Sequence, residues 1–433
     1  MRFKLVRLTI GTAIMLALAL SAVDIVRENQ GLFRRAAESA EGTTAVTEVF
    51  GNQRYENVVM FYADASIRPA LFEPLYGTYV GAYIQSDGVV RGDFTRFEQM
   101  MGRHNIFMYR LEVTGDFSSE SLPHEFIFES VVRGRAPFFV LEVSDGDILE
   151  AAEILARELG HYLSPMFVQP PEPRLGENPQ SYIARFALLR DIFRRHAPNV
   201  AFVYGVDIAR GDITEQFYPG DEYVDWVAIR AMASMSPDRP FRGDTLAAIE
   251  QLYFAFQSRA PVFVCIGVSR QSGHNFIQHS RLAAGELERI YTALLTEFPR
   301  VRGIIYMNIN EVPLGRGLGV ADNYLITDDN VLREAYRELV THPGVMPSIA
   351  AIRDDEEGYV QLRSRYGALR IAGLYYVGEQ TLTNELRVPR NQLRGRSRSI
   401  DGERFYPLEP FIRSGRWVKR SYGTHIVLES GGM

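Results

Sequence analysis

Cysteine and lysine are the residues that this sequence nearly lacks. Cys265 is the only cysteine, which excludes an intramolecular disulfide and a cysteine-rich metal site. Lys4 and Lys419 are the only lysines, so arginine carries almost all of the positive charge. Without disulfides the chain must be held together by burial of a core, and 433 residues are enough for that.

An excess of positive charge is also absent. The formal net charge is -6, so nothing in the composition indicates a nucleic-acid partner. With 46% hydrophobic and 23% charged residues, the composition excludes a wholly disordered chain. The length fits a barrel of ~250 residues together with a smaller module.

The amino-terminal segment, residues 1–23, resembles a targeting sequence. Arg2, Lys4 and Arg7 precede an apolar run over residues 8–20, and small residues suited to cleavage stand at Ala19 and Ser21. The pattern fits either a cleaved signal peptide or an uncleaved membrane anchor. We therefore expect a secreted protein, or one anchored at the outer face of the cytoplasmic membrane in the cell envelope. Residues 24–55 are polar and are interpreted as a spacer.

A repeated pattern covers the central region, residues 56–345. Short apolar runs alternate with longer segments of helical periodicity, as in βαβ units with a parallel sheet. The eight runs span residues 79–84, 106–113, 137–143, 165–169, 201–206, 225–231, 261–267 and 303–308. Eight such units predict an α/β fold, specifically a closed (β/α)₈ barrel.

The carboxyl-terminal region, residues 353–433, has a different character. It holds fourteen basic and ten acidic residues, and turn residues replace the helical periodicity. Short strands are predicted at residues 358–362, 369–377, 402–406, 416–418 and 425–428. We interpret this region as a small β-rich module.

The site of such a barrel forms at the carboxyl ends of its strands. Polar residues near the ends of the predicted strands are Glu112, Glu142, Glu172, Asp207, Arg230, Asn308 and Glu311. A ring of carboxylates at one barrel mouth suits glycoside hydrolysis, which needs two carboxyl groups in different roles. The histidines show no metal-ligand spacing, so no metal and no cofactor are predicted.

Several segments resemble the family 26 glycoside hydrolases, the β-mannanase family. Residues 218–226, Tyr-Pro-Gly-Asp-Glu-Tyr-Val-Asp-Trp, are similar to the signature of the family's sixth strand. Residues 197–203 and 80–84 resemble its fifth and first strands, and the similarity spans roughly residues 75–340. The resemblance implies a (β/α)₈ barrel, a polysaccharide or cell-wall glycan as partner, and retaining hydrolysis by two glutamates.

The resemblance also assigns roles to individual positions. Glu172 falls at the position of the acid/base glutamate, while Gln169 and Arg174 stand where the family has Arg and Asn. Candidates for contact with a sugar are Gln169, Arg174, Trp226, Arg230, Tyr306 and Asn308.

One departure from the family bears on catalysis. The segment that carries the nucleophile reads Pro-Val-Phe-Val-Cys-Ile-Gly over residues 261–267, and Ile266 aligns with the missing glutamate. An isoleucine cannot attack an anomeric carbon, so ordinary retaining hydrolysis is predicted to be lost. Asp207, Glu142 and Glu311 are the other candidates for a second carboxylate.

The carboxyl-terminal module has a resemblance of its own. Residues 400–410, 417–420 and 425–428 are similar to the stalk domain named after the amino terminus of copper amine oxidase. That resemblance implies a spacer or envelope-associated module, and it does not imply copper. Three hypotheses follow: a glycan-binding barrel, an active hydrolase with a displaced second carboxylate, and an envelope scaffold.

Overall fold

The computed structural model describes residues 47–50, 53–64, 69–74, 77–85, 87–144, 147–162, 164–174, 176–210, 214–234, 243–272, 277–311, 322–342, 344–349, 358–361, 368–393, 395, 397–400, 403–414, 417–422 and 425–430. The predicted signal or anchor segment lies outside these residues. Within them, no helix combines the length and the apolar character needed to cross a membrane. The chain divides into two units, one spanning Phe61–Arg365 and the other combining the chain up to Met60 with Tyr366–Met433.

The strands are numbered in chain order. They are β1 (Thr47–Phe50), β2 (Gln53–Asp64), β3 (Tyr79–Tyr83), β4 (Ile106–Val113), β5 (Ala136–Val143), β6 (Met166–Gln169), β7 (Val200–Asp207), β8 (Trp226–Ala233), β9 (Val262–Val268), β10 (Gln271–Ser272), β11 (Ile277–Gln278), β12 (Val301–Met307), β13 (Gly358–Gln361), β14 (Ala368–Ile371), β15 (Leu374–Gly378), β16 (Arg398–Ile400), β17 (Glu403–Pro407), β18 (Trp417–Tyr422) and β19 (His425–Ser430).

The larger unit is built on a closed parallel barrel. Strands β3 to β9 pair in chain order, and β12 pairs in parallel with both β9 and β3 to close the ring. Each of the eight predicted runs overlaps one of these strands. The predicted (β/α)₈ barrel is therefore confirmed.

Helices connect most of the barrel strands, and a short helix follows in the other unit. They are α1 (Phe94–Met101), α2 (His124–Val132), α3 (Ile148–Gly160), α4 (Pro179–His196), α5 (Thr245–Phe256), α6 (Ser280–Thr296), α7 (Asn330–Val340) and α8 (Glu409–Arg413). Asp147 caps the amino terminus of α3, because its carboxylate accepts a hydrogen bond from the Leu149 backbone N–H.

The barrel has two apolar layers, and the alternation of side chains along each strand decides which layer a residue joins. The inner layer fills the barrel with aromatic rings, and the Trp226 and Phe263 rings stack there at 4.3 Å. The outer layer lies between strands and helices and includes Ile266 and Tyr306. Side chains two residues apart on one strand belong to the same layer. Only side chains in register with the inner layer can therefore reach the mouth.

The smaller unit contains an antiparallel sheet, as the sequence predicted. The sheet order is β16-β17-β15-β14-β2-β19-β18, and β1 pairs with β2. The predicted strand at 369–377 is in fact the hairpin β14–β15. Its two turn residues, Ala372 and Gly373, have φ angles of 49° and 80°, as a tight type I′ turn requires.

Strands β1 and β2 differ from what the sequence predicts. The sequence predicts a spacer over residues 47–55 and the start of the barrel region from residue 56. The structure pairs β1 with β2, and it pairs Glu56–Val58 of β2 with β14 of the carboxyl-terminal sheet. Pairing between strands some 300 residues apart leaves no local signal in the sequence.

Candidate active site at the barrel mouth

The mouth of the barrel is lined by residues that continue the inner layer toward the carboxyl ends of the strands. Met108, Phe138, Phe167, Val203 and Ala228 belong to the inner layer. Positions two and four residues further along the same strands therefore face the mouth. These positions include Arg110, Glu112, Glu142, Gln169, Gly205, Asp207 and Arg230.

Glu172 and Asp207 meet on a single guanidinium group. Arg230 donates from Nε to Asp207 Oδ2 at 2.7 Å and from Nη2 to Glu172 Oε2 at 3.1 Å. Burial opposes the positive charge, but the two carboxylates together raise the pKa of the Arg230 guanidinium. The sequence predicted all three residues for the site, and the structure brings them together.

A small, open pocket lies beside these two carboxylates. It is lined by Glu172, Pro173, Tyr204, Gly205, Val206, Asp207, Arg210 and Phe217. Arg210 donates to the Pro173 carbonyl oxygen at 3.0 Å, which ties together the segments that follow β6 and β7. Burial, and secondly the nearby Glu172 carboxylate, raise the pKa of the Tyr204 hydroxyl, which therefore stays protonated at neutral pH.

A second part of the mouth surrounds Arg110. Its guanidinium lies 5.2 Å from the centre of the Tyr83 ring, and its Nε is 3.6 Å from Glu142 Oε1. Glu112, in register with Glu142 on the neighbouring strand, accepts a hydrogen bond from the Ser144 hydroxyl. Arg110 is not among the site residues that the sequence predicts, although its position two residues before Glu112 puts both on the same face of β4.

Gln169 forms part of the floor between these two regions. Its side chain is only 6% exposed and lies against Gly205, where a Cβ would come within 2.6 Å of the Gln169 Cδ. A side chain on β7 at that point would thus displace the glutamine. Arg174, in contrast, is exposed, and its backbone N–H donates to Glu177.

Three of the predicted sugar contacts are corrected by the structure. Trp226 begins β8, so it lies at the end of the barrel opposite the mouth, where it is fully buried and donates to the Leu71 carbonyl oxygen. Tyr306 belongs to the outer layer, and its hydroxyl donates to the Tyr324 carbonyl oxygen at 2.8 Å. Asn308 is fully buried and donates to Asp87 at 2.6 Å. These side chains have no surface for a ligand to contact.

The prediction that Ile266 occupies the position of the nucleophile is also corrected. It is fully buried in the outer layer, so a carboxylate at that position would point toward the helices. The positions of β9 that face the interior are Cys265 and Gly267, which lack a carboxylate just as Ile266 does. Burial raises the pKa of the Cys265 thiol to about 12, so the thiol is protonated at neutral pH and is a poor nucleophile.

Glu311, the remaining candidate for a second carboxylate, follows β12. It is partly exposed, and its backbone N–H donates to the Asp322 carbonyl oxygen at 3.0 Å. In the described part of the chain, no group of three His, Cys, Asp or Glu side chains is arranged to hold a metal ion. The geometry therefore favours Asp207 as the partner of Glu172.

Comparison with known proteins finds similar barrels among glycoside hydrolases. A modular endo-β-1,4-mannanase from Cellulomonas fimi is 12% identical with a TM-score of 0.48, over 80% of this chain and 92% of that one. A family 26 β-mannanase from Bacteroides ovatus is 12% identical with a TM-score of 0.43, over 63% and 90%. A family 39 glycoside hydrolase from Bacteroides cellulosilyticus WH2 is 11% identical with a TM-score of 0.46, over 78% and 79%.

Similarity at these identities and scores does not assign a function to this chain. No family model and no curated protein matches the sequence. The functional assignment therefore depends on the geometry of the mouth itself.

Proposed function

We propose that the barrel mouth binds a polysaccharide and does not hydrolyse it by the retaining route. The observation that carries this proposal is the absence of a carboxylate at Cys265 and Gly267, the positions of β9 that face the barrel interior. A retaining mechanism needs a nucleophilic carboxylate ~5–5.5 Å from the acid, on the other side of the sugar. Glu172 has Arg230 and Asp207 as neighbours instead.

The pocket beside Glu172 supports binding. Its polar groups include a carboxylate pair and the Arg210 guanidinium, which can accept from and donate to sugar hydroxyls, while Phe217 and Pro173 give it apolar walls. Titration calorimetry with soluble mannan, glucans and cell-wall glycan fragments would measure binding, and a reducing-end assay on the same samples would measure cleavage. Binding without release of reducing ends is expected.

A second candidate function is hydrolysis by Glu172 and Asp207. The shared contact with Arg230 favours it, because two carboxylates that converge on one guanidinium lie close enough to serve as an acid and a base. Release of reducing ends that disappears in both Glu172→Gln and Asp207→Asn would establish this function and refute the first. Failure of every glycan to bind would leave the envelope-scaffold hypothesis.

We also propose that the protein acts outside the cytoplasm. The support is the sequence of residues 1–23, and the likeness of the carboxyl-terminal region to an envelope-associated stalk domain agrees with it. Fractionation of cells that express the full chain, compared with a chain that begins at residue 24, tests this location. Recovery of both forms in the cytoplasm would contradict it.

A further inference from the structure

The sequence contains a run of arginines that the barrel does not explain. Residues 387–398 read Arg-Val-Pro-Arg-Asn-Gln-Leu-Arg-Gly-Arg-Ser-Arg, with five arginines and no acidic residue. The whole chain holds 53 acidic and 47 basic residues, so the charge of this run is opposite in sign to that of the chain. Positive charge at this density, without acidic residues between, indicates an anionic partner.

The run ends at one edge of the sheet in the smaller unit. Its last residue, Arg398, begins β16, the end strand in the sheet order, and Ser399 of β16 is paired with Arg404 of β17. Gly395 also packs against β17, because a Cβ there would come within 2.5 Å of the Pro407 Cγ. Arg404 therefore adds a further positive charge beside the run, and we name residues 387–398 together with Arg404 the basic edge.

A single carboxylate faces two arginines of the basic edge. Glu379 Oε2 lies 2.8 Å from Arg404 Nε, while Glu379 Oε1 lies 3.8 Å from Arg390 Nε, which is too long for a hydrogen bond. The side chains of Arg390 and Arg404 are 82% and 59% exposed. Two guanidinium groups that share one negative charge keep a net positive charge, and most of their N–H donors face solvent.

The position of the basic edge along the chain favours a membrane surface as its partner. The sheet that carries it also contains β2, which pairs with β1, the first described strand after the predicted targeting segment. Residues 24–46 separate that segment from β1, and a chain of this length spans at most about 80 Å. An anchor at residues 1–23 would thus keep this unit close to the lipid headgroups. Clusters of about four to eight arginines or lysines beside a membrane anchor bind anionic lipid.

We propose that the basic edge binds the phosphate groups of anionic phospholipids, so that the smaller unit contacts the membrane surface. This inference rests on the proposed location outside the cytoplasm and is independent of glycan binding at the barrel mouth. Guanidinium groups bind phosphate oxygens through paired N–H donors, and each arginine near a charged surface adds its own contribution. Salt weakens the contact, because exposed charges interact over only about 8 Å at physiological ionic strength.

Photo-cross-linking of the full chain in vesicles tests which lipid meets the basic edge. The vesicles contain phosphatidylcholine and phosphatidylglycerol, and one lipid or the other carries a photoactivatable headgroup. We expect phosphatidylglycerol adducts, and no phosphatidylcholine adducts, in peptides from residues 387–404, and fewer of them at high salt. Absence of these adducts, or equal labelling by the two lipids, would overturn the inference. Labelling of residues 1–23 reports the anchor separately, so failure of the proposed location can be told apart from failure of the basic edge.

Two matched double variants test the role of the arginines. Arg390→Gln with Arg404→Gln should reduce the phosphatidylglycerol adducts at least about tenfold, since each arginine near an anionic surface contributes a factor of about five. Arg157→Gln with Arg195→Gln is the control, because these exposed arginines share Glu153 in the barrel unit as the first pair shares Glu379, and the adducts should persist. Circular dichroism confirms that both variants are folded. An equal yield of adducts in the two variants would refute the assignment.

An acidic polysaccharide is the competing partner for the basic edge. Calorimetry of the full chain with polygalacturonate measures this alternative. Binding of the polymer that disappears in the Arg390→Gln, Arg404→Gln variant, together with no phosphatidylglycerol adducts at residues 387–404 in the unchanged chain, would assign the basic edge to such a polysaccharide and overturn the inference.

Discussion

The side chain of Gln169 on β6 occupies space that Gly205 leaves open on β7. A Cβ on Gly205 would overlap the Gln169 Nε2 and come within 2.6 Å of its Cδ. The absence of a side chain at Gly205 therefore keeps the glutamine amide at the floor of the mouth. The glycine serves the site through its neighbour and also lines the pocket beside Glu172.

Gly205→Ala is expected to affect binding more than folding. The atoms in the way are the far end of a flexible side chain, so Gln169 can move, and the free energy of unfolding should change by less than about 1 kcal/mol. The displaced amide should weaken the binding of glycans at the mouth. Calorimetry and urea unfolding measure the two effects separately, with Gly285→Ala as the control for binding because nothing lies within 4 Å of a Cβ there. A large loss of stability with unchanged binding would contradict this account.

Arg230→Met should destabilise the fold. Without the guanidinium, Glu172 and Asp207 lie near each other with their shared counter-ion removed, which is expected to cost about 1–2 kcal/mol for partly exposed groups. Urea unfolding measures this loss, and Arg230→Lys, which keeps the charge, is the control. An unchanged free energy of unfolding in Arg230→Met would show that the guanidinium does not stabilise the two carboxylates.

The sequence predicted the barrel well because its signal is local. Each run of β-branched and aromatic residues ends at a turn, and runs such as that of β9 are buried on both faces, as in a parallel sheet. Burial of these runs on both faces also made the inward-facing positions of the site unpredictable. In a run that is apolar throughout, the alternation of polar and apolar residues is lost, so nothing in the sequence distinguished the inward-facing Cys265 from the outward-facing Ile266.

One error in the predicted site had a signal that was available. Trp226 stands at the start of its strand, and the start of a barrel strand lies away from the mouth. The error at Tyr306 had none, because β12 is buried along its whole length, and only the structure shows that Met307 faces inward and Tyr306 outward. The sequence could not show that Glu172 and Asp207 share a contact with Arg230, because that contact depends on the side-chain conformation of Arg230.

A packing prediction concerns the opposite end of the barrel. A Cβ on Gly303 of β12 would overlap the Phe263 ring, which is fully buried and stacked on Trp226 at 4.3 Å. The ring has no space to move into, so Gly303→Ala should lower the free energy of unfolding by about 1–3 kcal/mol or more. Gly285→Ala, in the open on helix α6, should instead stabilise by about 0.5–1 kcal/mol. Urea unfolding of both variants checks this, and a similar effect of the two would show that the aromatic interior is not tightly packed.

Two buried histidines should make the fold less stable in mild acid. Burial lowers the pKa of His104 and of His342 to about 4 each. His104 is held as the neutral tautomer with the proton on Nδ1, which donates to the Gly102 carbonyl oxygen, while Nε2 accepts from the Tyr336 hydroxyl. His342 Nδ1 accepts from the Gly344 N–H, so a proton there would break that bond.

The sign follows from which state binds the proton. Between pH 6.5 and pH 4 the unfolded chain protonates these histidines and the folded chain does not, so stability is fully present above about pH 6.5 and falls as the pH drops toward 4. Each histidine should contribute a loss on the order of 2 kcal/mol. Unfolding in urea at pH 7.5, 5.5 and 4.5 measures the slope. Because carboxylates also titrate in this range, the decisive comparison is with the His104→Gln, His342→Asn double variant, whose slope between pH 7.5 and 5.5 should be shallower; an unchanged slope would mean that neither histidine is held neutral by burial.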